Sequence, residues 1–124
     1  MRLALSVLLI AHGVAHLVGF VVPWKLMASP EMPYRTTILA GRIDIGDSGV
    51  RAIGVFWLMA GLAFVLLGSA LLAGIGIRAW LFAMLGVSLA LCAVGLPDAR
   101  FGIVVNLVLI ALLLAMRQLG VVSS

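Results

Sequence analysis

His12 and His16 stand one helical turn apart inside an apolar run, Leu3–Val22. An ionisable side chain in such a run is costly unless it turns toward protein or a water-filled cavity. Neutral imidazole carries one donor and one acceptor nitrogen, and its proton exchanges near physiological pH, so the pair is suited to proton transfer. Asp44 and Asp47, just ahead of the second apolar run, are candidates to orient or recharge an imidazole. Arg51 or Arg42 would stabilise developing negative charge. His12, His16, Asp44, Asp47 and Arg51 therefore form the candidate catalytic set. The chemistry they suit is proton transfer on a lipophilic substrate, an isomerisation or cyclisation, with no cofactor.

Binding residues follow from depth. His16 lies six residues before Val22, Trp57 six after Arg51, and Asn106 six after Arg100. At about 1.5 Å per residue, all three sit roughly 9 Å below one membrane face, with His12 a turn deeper. Asp44, Asp47, Arg51, Asp98 and Arg100 would ring the mouth above them. The long loop supplies Trp24, Tyr34, Arg35 and Arg42 to fold over it. Trp57, Asn106, Arg42, Tyr34 and Trp24 are thus the candidate ligand-binding residues. The expected ligand is a small apolar molecule with a polar head, a quinone, isoprenoid or lipid. Arg51, beside a helix start, suits an anionic head.

Each residue also has a structural reading. The imidazoles and Asn106 would hydrogen-bond neighbouring helices. Asp47 would cap a helix. Trp24 and Trp80 would anchor at the interface, and Cys92 would pack as a small core residue. Trp57 would line a pocket or pack in the core. Asp98 and Arg100 would form a solvated turn pair. Histidines four apart can chelate a metal, but Gly13-Val14-Ala15 between them lacks the HExxH pattern. A third ligand would have to come from Asp44, Asp47 or another chain. A haem would use a single histidine, or one from each of two subunits. We expect neither metal nor haem, and we retain quinone as a candidate.

The elements that must hold these residues are helices in lipid. Of the residues, 65% are hydrophobic and 10% charged, against about 25% charged in soluble domains. Four runs, 3–22, 52–73, 79–96 and 101–116, are long enough or nearly so to span a bilayer. They make one transmembrane domain over residues 1–124, with a long loop at 23–51. The first run resembles a signal peptide but no small-x-small site ends it, so we expect an uncleaved helix. The net charge of +4 is scattered between the runs. It reads as lipid contact and topology signal rather than a nucleic-acid surface. One cysteine excludes an intramolecular disulfide and a CxxC pair.

The expected architecture is all-α, an up-down four-helix membrane bundle at the cell membrane. Four spans put both termini on one side, with Arg2, Arg78 and Arg117. Counting Lys and Arg alone favours the loop side as cytoplasmic. Those cations are interleaved with acids in a folding loop, so we expect cytoplasmic termini. Small-residue stripes should meet at the bundle axis: Ala79, Ala83, Gly86, Ala90 and Ala93 on the third span, and Gly54, Gly61 and Gly68 on the second. His12, His16 and Gly19 should join Leu5 and Leu9. Gly102, Asn106, Leu109 and Leu113 should share a face on the fourth. Ser29-Pro30-Glu31 predicts a short helix start, and Asp47-Ser48 a cap for the second span.

His12-Gly13-Val14-Ala15-His16-Leu17 with three following spans resembles the DoxX-like small four-helix bacterial membrane proteins. Members often carry glycine, two variable residues, a basic residue and leucine in helix one. Gly13 to Leu17 fits, with His16 where lysine is common, and Gly76-Ile77-Arg78-Ala79 is similar too. The resemblance implies a four-helix membrane fold and a quinone or redox partner, since some members are linked with quinone-dependent sulfur oxidation. Histidine at 16 and the lack of a cysteine pair depart from that pattern. Met32 to Thr37 and Pro97 to Arg100 resemble uncharacterised small bacterial membrane proteins more closely. The competing expectation is a non-catalytic accessory subunit, self-associating or docked in a larger membrane complex through the Ala79–Ala93 seam.

Overall fold

The computed structural model describes residues 1–118. It is mainly helical: α1 (Arg2–His16), α2 (Val18–Val21), α3 (Gly46–Leu72), α4 (Arg78–Val94) and α5 (Arg100–Gln118). A small antiparallel hairpin, β1 (Thr37–Ile38) and β2 (Ile43–Asp44), interrupts the first connection. The stretches Arg2–Val21, Gly46–Leu72 and Arg100–Gln118 are long and apolar enough to cross a membrane. α4 is equally apolar but has 17 residues.

Helical spacing of large apolar residues builds the core: Leu5 and Leu9 of α1, Phe64 and Leu71 of α3, Leu81 and Leu85 of α4, Leu109 and Leu113 of α5. The outward faces are just as apolar. Leu66, Trp80 and Phe101 are each about 70% exposed, the reverse of a soluble surface.

α1 and α3 run antiparallel in the closest packing of the fold. A Cβ on Gly61 would lie 2.7 Å from the Gly13 carbonyl oxygen, and one on Gly13 would lie 2.6 Å from that of Gly61. Gly68 stands against Ser6 and Leu9, and Trp57 lies flat on Gly19, where a Cβ would come within 2.4 Å of its ring. The glycine stripe on α3 therefore faces α1, as its spacing predicts. Backbone approach this close brings Cα–H groups against carbonyls, the packing mode of membrane helices.

The structure corrects several expectations. The first span, Arg2–Val21, holds, but as α1 and α2 joined at Leu17, which keeps helical φ and ψ while its N–H bonds Val14 O at 3.0 Å, three residues back. The α4 seam does not reach the axis. Ala79, Ala83, Gly86 and Ala90 face outward, and a Cβ on Gly86 would meet nothing within 4 Å. α4 instead turns Leu81, Leu85, Ser88 and Cys92 inward, because that stripe offers both apolar volume and hydrogen-bonding groups. Ser29-Pro30-Glu31 forms a bend rather than a helix, with Ser29 Oγ donating to the Glu31 carboxylate at 3.0 Å. α3 begins at Gly46, six residues before the apolar run, and Asp47-Ser48 do not cap it. The Asp44 carboxylate accepts the Gly46 N–H at 2.9 Å instead, as the chain leaves β2 through a left-handed Gly46.

The loop is tied to the helices by its hairpin tip. Leu39, Ala40 and Gly41 are all left-handed, with φ of 53°, 58° and 81°. That conformation is costly for Leu and Ala. Here it aims the Leu39 and Ala40 N–H groups at Val94 O and Leu96 O, each at 2.9 Å. The tip thereby satisfies carbonyls that the end of α4 leaves unpaired.

Two substitutions test this packing. Gly61→Leu should destabilise by about 1–3 kcal/mol or more, since backbone lies where its side chain must go. Ser6 Oγ is fully buried with no partner among the described residues. Ser6→Ala should therefore be neutral or stabilise by about 1 kcal/mol. Unfolding midpoints in denaturing detergent check both, and a tolerated Gly61→Leu would contradict the α1–α3 contact.

Candidate functional site

Helical periodicity carries His12 and His16 onto the buried face of α1, where four helices contribute to one polar cluster. The rings meet edge to face with centroids 4.5 Å apart. Phe64 of α3 packs on both, at 5.0 and 5.3 Å, and Trp57 lies 5.1 Å from His16. His16 Nε2 is 2.7 Å from Ser88 Oγ of α4, and His12 Nε2 is 3.2 Å from Asn106 Oδ1 of α5. Ser88 Oγ also stands 3.4 Å from His12 Nε2.

Chemistry assigns every proton in this cluster. No carboxylate bonds either ring, and an uncompensated charge so deep would be expensive, so both rings are neutral. His16 Nδ1 is 2.8 Å from the His12 carbonyl, which accepts only, so Nδ1 carries the proton. His16 Nε2 is then an acceptor, and the Ser88 hydroxyl donates to it. Asn106 Nδ2 donates to Gly102 O at 2.8 Å and toward Cys92 Sγ at 3.6 Å. That fixes Oδ1 toward His12, whose Nε2–H donates to it. His12 Nδ1 is left as a lone pair with no partner. Ser6 Oγ is the one fully buried side-chain nitrogen or oxygen without a partner among the described residues, so Nδ1 keeps access to space.

His12 lines a cleft of about 270 Å³ between α1 and α5. His12, His16, Trp57, Cys92 and Gly102 line its depth, and Ala15, Phe101 and Val105 its outer edges. The two helices scarcely touch apart from the His12–Asn106 bond, so the cleft opens sideways. Gly102 is needed here, since a Cβ would come within 2.6 Å of Cys92 Sγ. At the loop end Glu31, Met32 and Asp98 complete the wall. Arg35 Nε donates to Asp98 Oδ2 at 2.8 Å, and a smaller cavity of about 70 Å³ continues behind Trp57 under the loop.

Of the residues predicted from sequence, His12, His16, Trp57 and Asn106 come together. The others do not. Asp44 and Asp47 reach neither histidine: Asp44 holds the start of α3, and Asp47 accepts the hydroxyl of Tyr34. That bond is the main reason the Tyr34 phenol is held above its usual range. Arg51 stacks over Trp24 at 5.7 Å, and its carbonyl accepts Trp24 Nε1–H at 3.0 Å. Arg42 is exposed and makes no side-chain hydrogen bond among the described residues. Arg100 turns back to Pro97 O and over Phe101. These residues belong to the loop and its attachment to α3. Sequence reasoning missed Ser88 as a partner of the histidines and Glu31 as a charge at the cleft, while Arg35, expected over the mouth, pairs there with Asp98. The signal for Ser88 was its place on the Leu81–Leu85–Ser88–Cys92 spacing, with Cys92 one turn on. Among the described residues no three His, Cys, Asp or Glu side chains gather as a metal cluster.

No family model, no curated protein and no solved structure matches this chain.

The assignment predicts opposite tautomers. Nitrogen-15 spectra of histidine-labelled protein should show His12 protonated at Nε2 and His16 at Nδ1. Ser88→Ala should move the His16 Nε2 resonance and leave that of His12 Nδ1 nearly unchanged. A shared tautomer, or a charged ring at neutral pH, would contradict the proton positions.

Proposed function

We propose that the protein is a four-span, multi-pass cell-membrane protein that holds a small lipophilic molecule in the cleft between α1 and α5. The observation that carries this reading is the unpaired His12 Nδ1 at the end of an otherwise satisfied polar cluster, beside a sideways opening edged by Ala15, Phe101 and Val105. In a bilayer such an opening faces acyl chains, so access is by lateral diffusion. The volume suits a ring-sized head with its tail left in lipid. Arg35, Asp98 and Glu31 lie where the head end meets the loop. The DoxX-like resemblance of helix one points the same way, toward a quinone-like molecule.

The chemistry we assign to the cleft is proton acceptance at His12 Nδ1. The resulting imidazolium would keep its Nε2–H on Asn106 Oδ1. That serves an isomerisation or cyclisation without a cofactor.

Membrane helices that face lipid on every side also suit an accessory subunit. The outward position of Ala79, Ala83, Gly86 and Ala90 favours this second reading, since small residues permit close helix contact. One measurement separates the two. Native mass spectrometry of gently extracted wild type should show a lipophilic adduct. Val105→Trp, which fills the cleft mouth, should lose it, and Ala90→Leu should keep it with unchanged oligomer size. An adduct-free wild type, with an oligomer dispersed by Ala90→Leu, would favour the accessory reading.

Topology has its own test. In a Cys92→Ser background, Arg2→Cys and Arg117→Cys should react with an impermeant maleimide only after the cytoplasmic side is opened. Arg35→Cys and Arg42→Cys should react from outside. Labelling of Arg2→Cys and Arg117→Cys from opposite sides would defeat the four-span arrangement.

A further inference from the structure

Resting on the cleft reading, we propose that the head of the bound molecule carries a hydroxyl that donates a hydrogen bond to His12 Nδ1. The class is therefore phenol, quinol or long-chain alcohol rather than a head that only accepts. The argument is one of unmatched atoms. Inside the cluster each donor has an acceptor: His12 Nε2–H has Asn106 Oδ1, Asn106 Nδ2 has Gly102 O, the Ser88 hydroxyl has His16 Nε2, and His16 Nδ1–H has the His12 carbonyl. His12 cannot swap tautomers to offer Nδ1–H without turning its Nε2 lone pair on the Asn106 oxygen. Asn106 cannot flip to relieve that clash without turning its own oxygen on the Gly102 carbonyl. The acceptor character of Nδ1 is thus fixed two hydrogen bonds away, by the backbone of α5.

A second unmatched atom refines the head. Trp57 Nε1–H makes no hydrogen bond among the described residues, and Trp57 lines the same cleft. The ring edge next to this nitrogen stands toward the α4–α5 turn, where a Cβ on Gly95 would lie 3.4 Å from Cζ2. That edge is turned to the smaller cavity under the loop, which Gly95 and Trp57 both line, so the cleft itself offers an acceptor in its depth and no donor beside it. A hydroxyl both donates and accepts, so it suits the deeper position without cost. A carbonyl or ether oxygen finds no donor there. Placed beside His12, it sets lone pair against lone pair and leaves both desolvated.

The probes are 4-nonylphenol and its methyl ether, 4-nonylanisole, which differ by the hydroxyl hydrogen and a methyl group at one end of the same tail. Binding is read from Trp57 emission in the full chain carrying Trp24→Phe and Trp80→Phe, reconstituted in lipid nanodiscs. The phenol should bind about tenfold more tightly, the scale of one unmatched buried acceptor. It should also shift the nitrogen-15 resonance of His12 Nδ1, which the ether should leave in place. Equal affinities, tighter binding of the ether, or phenol binding without a shift at Nδ1 would overturn the hydroxyl assignment alone. Failure of both probes to bind, together with an adduct-free native mass spectrum, would overturn the cleft reading and this inference with it.

Discussion

The backbone contact between Gly13 and Gly61 governs the arrangement of everything else. Two helices meeting through glycine on both sides approach closer than any pair of side chains allows, and their carbonyls then face Cα–H groups. This fixes rotation as well as distance. With Gly13 pinned against α3, His12 and His16 on the flanking turns have one direction left, toward α4 and α5. Gly19 repeats the device six residues on, taking the Trp57 ring where a side chain would otherwise stand. Past His16, Leu17 keeps helical φ and ψ, so α2 continues along α3. A single alanine at the central contact would push the helices apart and carry both imidazoles with them.

Once the imidazoles point inward, the choice of neighbour follows from polarity. Hydrophobicity gives no reason for one face of α4 to be preferred, since every face is apolar. Ser88 and Cys92 decide it. A hydroxyl facing acyl chains would satisfy itself only on its own backbone, whereas inward it closes a bond of 2.7 Å to His16. Asn106 fixes α5 in the same way, with all of its amide employed. Measured hydrogen bonds between membrane helices are worth about 0.6 kcal/mol each on average. The cluster's contribution is therefore mainly to select one rotation of each helix among several that pack equally well.

How much of this was legible in the sequence depends on which force decides each part. Helix positions were readable because hydropathy alone sets them. The inward faces of α1, α3 and α5 were readable because polar or glycine residues share a 3–4 spacing with leucines. α4 was misread because two stripes compete there, and a regular row of small residues reads as an interface when hydrogen-bonding needs are left out. The convergence of His12, His16, Trp57 and Asn106 followed from counting depth. Asp44, Asp47 and Arg51 were placed at the mouth by the same count, which knows nothing of the hairpin. Three left-handed residues at Leu39–Gly41 carry the loop to the end of α4, and no local propensity announces such a turn at Leu and Ala. Glu31 lines the cleft and Arg35 reaches Asp98 at its loop end, while Tyr34 and Trp24 are spent on Asp47 and the Arg51 carbonyl.

The hairpin also explains why the polar cluster opens sideways. Its tip bonds the last carbonyls of α4, and Arg35 bonds Asp98 in the α4–α5 turn, so the loop lies across the end of the helices above Trp57. Water reaching the histidines from that end would have to pass the tryptophan and the loop. On the flank between α1 and α5 there is no such cover. Gly102 leaves Cys92 room, and Ala15 and Val105 are too short to bridge the gap that the Gly13–Gly61 contact opens by drawing α1 toward α3. Tight packing on one side of α1 thus has a loosely packed opposite side as its geometric consequence. The residue left at that boundary is the histidine whose second nitrogen has no partner among the described residues.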